Sequence, residues 1–177
     1  VHNSNTFYYE KYKNWSGILI EPSNYFNLLL KNRSKENKFF NCGCSEYTNE
    51  NSGVLQGSAD RGFFINFIEK DLSDFFLKKS KQANYDIKEN IVKLKTLNSI
   101  LIESQAPYLI DFFSLDVEGM EIKVLKGIDF DQFNFKFILV ECVNENKFNE
   151  VYKFLTAKNY DFVEKLTPWD ILYKYSK

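Results

Sequence analysis

Asp116 and Glu118 stand two residues apart in the run Ser114-Leu-Asp-Val-Glu-Gly-Met-Glu121, directly after the apolar segment Leu109–Phe113. That segment has strand character, and Ile122–Lys126 beyond the turn is spaced like an amphipathic helix, closed by Gly127. Two carboxylates therefore sit where a buried strand gives way to a helix. In open α/β sheets ligands bind at that carboxyl edge. Charge there is costly to desolvate unless it has a task or a partner. A carboxylate so placed can take a proton from a substrate or fix the direction of its hydroxyl. Glu118 also has a plainer reading, as negative charge in a first helical turn, favoured by the helix dipole. That reading suits Glu118 better than Asp116, which the strand end itself would hold. Gly119 allows close approach of backbone or ligand.

Two further apolar runs end in an acid: Gly17-Ile-Leu-Ile before Glu21-Pro22, and Phe137-Ile-Leu-Val before Glu141. An acid at the end of the second strand of a nucleotide-binding sheet accepts hydrogen bonds from both ribose hydroxyls. Glu21 fits that role, and it fits equally an exposed strand-end glutamate. Cys42, Cys44 and Cys142 are the three cysteines, and His2 is the one histidine. Cys42-x-Cys44 lacks a second pair to complete a tetrahedral metal site, so small strand residues are the better reading and no metal is expected. Trp15 and Trp169 read as packing residues, and His2 as a solvated side chain.

The elements that must position these residues alternate. A helix over about 6–14 follows the capping residues Ser4-Asn5-Thr6. A buried strand at 17–21 leads through Pro22-Ser23 into a second helix ending near Asn32. Residues 38–45 read as one strand, 46–65 as a Gly-rich loop or irregular hairpin, and 66–90 as mixed, with Phe67, Ile68 and Leu72 on one possible helical face. Strands at 91–96, 109–115 and 135–141 alternate with helices at 98–104, 119–126 and 145–158. The last of these carries Phe148, Val151, Tyr152 and Leu155 at helical spacing. A closing antiparallel hairpin joins 160–165 to 171–175 around Thr167-Pro168. Strands alternating with helices predict an α/β fold with a mainly parallel sheet, in one domain over residues 1–177.

With 177 residues, 44% hydrophobic and 27% charged, the chain can bury a real core. Eighteen phenylalanines suggest that Phe fills core sites often held by Leu or Val. A net charge of −1 gives no electrostatic case for nucleic acid or an anionic membrane. No apolar run approaches the length of a membrane span. No signal peptide is visible, and the odd cysteine count suits a reduced, cytoplasmic protein.

Ser4-Asn5-Thr6, Trp15-Ser-Gly-Ile-Leu-Ile-Glu21-Pro22, Asp111-Phe-Phe-Ser-Leu-Asp-Val-Glu-Gly-Met-Glu-Ile-Lys-Val-Leu-Lys-Gly127 and Phe137-Ile-Leu-Val-Glu141 occur in an order and spacing that resembles the FkbM-type family of S-adenosylmethionine-dependent methyltransferases. The closing Trp169-Asp-Ile-Leu-Tyr173 resembles the family's last strand. The resemblance implies a Rossmann-like class I methyltransferase fold, a seven-stranded sheet ending in an antiparallel hairpin. It implies O-methylation of a hydroxyl on a sugar, glycan or secondary metabolite, with S-adenosyl-L-methionine as cofactor. Glu21, followed by Pro22, would hold the cofactor ribose. Ser4 and Asn5 would lie near the methionine carboxylate, and Cys44-Ser45 near the adenine edge. Asp116 and Glu118 would be the catalytic residues facing the methyl group and acceptor. The family's first strand and glycine-rich turn should precede Ser4. A chain starting at Val1 is therefore expected to lack that central strand and to bind cofactor weakly. The alternative is a non-catalytic binding domain built on the same fold.

Overall fold

The computed structural model describes residues 4–58, 61–64 and 88–176, with isolated positions at 74, 77, 78, 81 and 82. His2 and the helical face of Phe67, Ile68 and Leu72 lie outside the described residues. Helix α1 (Phe7–Lys13) leads to strand β1 (Ile18–Ile20), helix α2 (Phe26–Asn32) and strand β2 (Lys38–Phe40). Strands β3 (Gly43–Ser45), β4 (Asn49–Ser58), β5 (Arg61–Phe64) and β6 (Lys88–Thr96) follow. Helix α3 (Leu97–Glu103), strand β7 (Leu109–Leu115), helix α4 (Glu121–Lys126) and strand β8 (Asn134–Glu141) come next. Helix α5 (Glu145–Thr156) and strands β9 (Tyr160–Lys165) and β10 (Asp170–Tyr175) close the described chain.

These elements make a mixed α/β architecture of three sheets: β1-β2, β3-β6-β4-β5 and β7-β8-β10-β9. Pairing is parallel for β1 with β2, β3 with β6 and β7 with β8. It is antiparallel within the β4-β5 and β9-β10 hairpins and where β4 meets β6 and β10 meets β8. The closing hairpin matches its sequence signal. The single mainly parallel sheet does not appear among the described residues. β1 pairs only with β2 and β7 only with β8, so each has one edge that no described strand occupies. Two contacts still tie these regions together: Asn5 Nδ2 donates to Ser114 Oγ at 3.0 Å, and the rings of Tyr9 and Phe112 lie 5.9 Å apart. Ile18, Ile20 and Phe40 pack against the same core as Leu115, Ile138 and Val140.

One sequence reading changes and one open alternative is decided. The run 38–45 is two strands in two sheets. Asn41 Nδ2 donates to the Glu21 carbonyl at 2.8 Å, which pins the chain beyond β1, and the next residues turn to join β6. The Gly-rich stretch after 46, read as a loop or irregular hairpin, is the irregular hairpin. Gly57 pairs with Gly62 across it, and the register against β6 shifts between Asn49 and Gly53. Glycine inside a strand often marks such an irregularity.

Phenylalanine does fill the core, with Phe130, Phe133 and Phe135 buried beside Tyr160 and Tyr173. The Tyr160 hydroxyl accepts from Phe135 N at 2.9 Å, so this buried polar atom is satisfied. Helix α5 begins at Asn144, whose side chain accepts from Lys147 N. Its fully buried stripe is Val151 and Leu155, with Lys147 above and Phe148 partly covered, while Tyr152 is 41% exposed. Burying Val151 and Leu155 contributes about 1.5–3 kcal/mol each.

Candidate functional site

The turn after β7 is built by two positive φ values. Glu118 has φ 51 and Gly119 φ 99, and Met120 N donates to Val117 O at 3.2 Å across them. That is the pattern of a type I′ turn. A left-handed glutamate is uncommon and carries strain, which concentrates at functional turns. The turn is anchored from below: Met120 is buried, and Glu121 Oε1 accepts from Gly119 N at 2.8 Å.

Strand register then assembles the acids. The parallel ladder ends with Leu115 opposite Val140, so Asp116 and Glu141 come next, side by side on the same face. From the other side β10 places Asp170 opposite Glu141. Hydrogen bonding toward Asp116, then burial, then the charges of Asp116, Glu118 and Asp170 push Glu141 up to about 8. Sequence reading noted Glu141 as a strand-end acid but gave it no role. Its signal was the same apolar run that singled out Glu21.

Glu121 was read only as part of the helix. It is fully buried, and among the described residues Oε2 has no hydrogen-bond partner. Burial raises it to about 7, opposed by the bond from Gly119 and the charge of Lys147 and helped by Asp116. A carboxyl raised in the folded state holds its proton better there than in the unfolded chain. Stability is therefore full below the unfolded value of 4.5 and declines as pH rises to about 7. The loss is on the order of 3 kcal/mol by pH 8. Glu121→Gln keeps an oxygen for Gly119 N and removes the charge. Urea denaturation should find Glu121→Gln more stable than wild type at pH 8 and nearly equal at pH 4.5. Equal stability at both would contradict the buried charge.

Glu21 lies at the end of β1, half-buried. Its Oε1 accepts from Ser23 N at 2.8 Å, and its backbone N donates to Phe40 O. Pro22 starts the turn into α2, and among the described residues no donor meets Glu21 Oε2. Asn5 touches Ser114, two residues from Asp116, so the structure brings Asn5 to the acidic turn. Ser4 Oγ accepts from Phe7 N at 3.2 Å and from Arg33 Nη1 at 3.3 Å. It belongs to a network that sequence reading missed. Arg33 Nε donates to Glu10 Oε2 at 2.7 Å, Asn37 Nδ2 donates to the same oxygen, and Ser34 N to Oε1. Burial alone would raise Glu10, but the bonds from Ser34, Arg33 and Asn37 hold it below its ordinary value. This network locks α1 onto the end of α2. Cys44 and Ser45 are both buried in β3, and Ser45 Oγ has no partner among the described residues. No hydrogen bond among the described residues joins Glu21, Cys44 or Ser45 to the Asp116 turn.

Cys42, Cys44 and Cys142 are free and buried, and burial raises each thiol, Cys42 to about 11. Among the described residues no group of three or more His, Cys, Asp and Glu is placed to hold a metal ion. None of the described helices is long and apolar enough to cross a membrane. Trp15 stacks on Tyr9 at 4.6 Å, as packing predicts, although it stays 40% exposed, and Trp169 is 50% exposed.

A family model described as the methyltransferase FkbM domain matches residues 1–162. The chain belongs to the FkbM methyltransferase family. The match spans α1, both acid-ended strands β1 and β8, and the Asp116 turn, and it runs into β9. No curated protein and no solved structure matches this FkbM chain.

Proposed function

We propose that this FkbM-family protein is an S-adenosylmethionine-dependent O-methyltransferase acting on a hydroxyl of a sugar, glycan or secondary metabolite. It would form one Rossmann-like domain over residues 1–177 and work in the cytoplasm. The observation that carries this reading is Asp116, a carboxylate at the end of a parallel strand, on a turn braced by Glu121 and next to Glu141.

The donor set at β1 fits the cofactor. Among the described residues no donor meets Glu21 Oε2, while Oε1 is fixed by Ser23 N, so a preset carboxylate is left to receive ribose hydroxyls. S-adenosylmethionine, when bound, would supply an electrophilic methyl group, its sulfur keeping the electron pair on transfer. Glu21 would hold the ribose, with Pro22 setting the exit of the chain. Ser4 and Asn5 would serve the methionine end. Cys44 and Ser45 act through their backbone, since both side chains are buried. Asp116 takes the acceptor's hydroxyl proton or orients that hydroxyl, and Glu118 shapes the acceptor side of the turn.

Saturation-transfer NMR with S-adenosylmethionine tests the binding half and tolerates weak affinity. Ribose protons should show transfer from the wild-type protein, and Glu21→Gln should reduce it about tenfold, the loss of one charge-assisted bond pair. No transfer to wild type would overturn the cofactor assignment and favour a binding domain on the same fold.

A further inference from the structure

We propose that Glu141 is a positioning residue for proton transfer: Asp116 and Glu141 form one proton-sharing pair, and the pair as a unit accepts the acceptor's hydroxyl proton. This rests on the methyl-transfer reading above.

The geometry comes from two ladders. Parallel register carries Asp116 to the side of Glu141, and antiparallel register sets Asp170 opposite Glu141 from the far side. Three acids on three adjacent strands would repel one another, and a proton held between two of them removes one charge. Glu118 on the turn is the third negative charge acting on Glu141, beside Asp116 and Asp170. A second observation points the same way. Glu121, buried beneath the turn with Oε2 unpartnered among the described residues, is raised in part by the charge of Asp116. Lys147 of α5 acts on Glu121, and Lys165 of β9 acts on Cys142, the residue after Glu141. The charges of Asp116, Glu118 and Asp170 acting on Glu141 are all negative, a setting that makes a carboxyl pair a stronger base than a lone carboxylate.

The step balances simply. With both carboxyls ionised, the hydroxyl O–H bond breaks and its electrons stay on the acceptor oxygen, which forms the new bond to the methyl carbon. The proton passes to Asp116 and bridges to Glu141, and the pair goes from two negative charges to one. At lower pH the pair already holds its proton and the uptake is blocked.

Carbon-13 NMR of the labelled carboxyl groups reads this without any turnover. Glu141 should titrate near pH 8 in the wild-type protein and move back toward 4.5 in Asp116→Asn. Incorporation of labelled methyl into a panel of glycans should rise with pH through about 8. In Glu141→Gln the midpoint of that rise should fall by about two pH units, and Glu141→Asp should restore part of it. Glu141 titrating near 4.5 in wild type overturns the proposal, as does a pH midpoint that Glu141→Gln leaves in place. Failure of the methyltransferase reading looks different: ribose contact with S-adenosylmethionine is then absent, while the carboxyl titration still decides whether the proton is shared.

Discussion

Gly127→Ala is expected to destabilise the protein by about 3 kcal/mol or more, the upper end of what overpacking costs. A Cβ at position 127 would lie 2.3 Å from the Ser45 carbonyl oxygen and 3.3 Å from its carbon. Both are backbone atoms, so no side chain can rotate away. The φ of Gly127 is −79, which any residue adopts, so the cost is contact and not strain. Relief requires α4 to lift from β3. Gly127 also stitches neighbouring elements, since its N–H donates to Lys123 O and Val124 O and its carbonyl accepts from Asn98 N at 2.9 Å. Lifting α4 would move Glu121 and with it the braced Asp116 turn. Against a native stability of about 5–15 kcal/mol, such a loss leaves a domain close to unfolding at 37 °C. A urea midpoint equal to wild type would show that β3 and α4 are not packed this closely.

Asp116→Asn should lower methyl transfer by about 10²–10⁴-fold, the range for losing a positioned general base. That is roughly 3–5 kcal/mol of barrier. Asn keeps the size and one acceptor oxygen of Asp116 but cannot take up a proton. The fold should hold, because the change removes one of several crowded acids facing Glu141. Initial rates of labelled methyl incorporation, read beside a denaturation curve, separate the two effects. Wild-type turnover in Asp116→Asn would remove Asp116 from the chemistry. A large loss of stability would instead mark it as a structural residue.

Much of the site was legible because its signals are local. The strand at 109–115, the turn at 116–120 and the helix after it occupy consecutive residues, and their periodicity changes within a few positions. Glu21 was legible for the same reason, at the end of Ile18–Ile20. The split at Asn41 was not, because it depends on a side-chain bond to the Glu21 carbonyl twenty residues earlier. The hairpin at 49–64 was half-legible. Its glycines look like loop residues until β6 is present to pair with them. The helix at 145–156 was located correctly, yet its buried stripe includes Lys147 in place of Tyr152, and only the neighbouring strands determine that rotation.

By itself the sequence determined which segments are strands that end in acids, where the Asp116 turn falls, and the family these motifs resemble. Tertiary structure alone decided which acids meet. Asp116 and Glu141 are 25 residues apart, and one register between β7 and β8 brings them side by side. Glu121 looks like any first-turn glutamate until packing buries it. Periodicity is a property of neighbours along the chain, whereas the charge state of a carboxyl depends on neighbours in space.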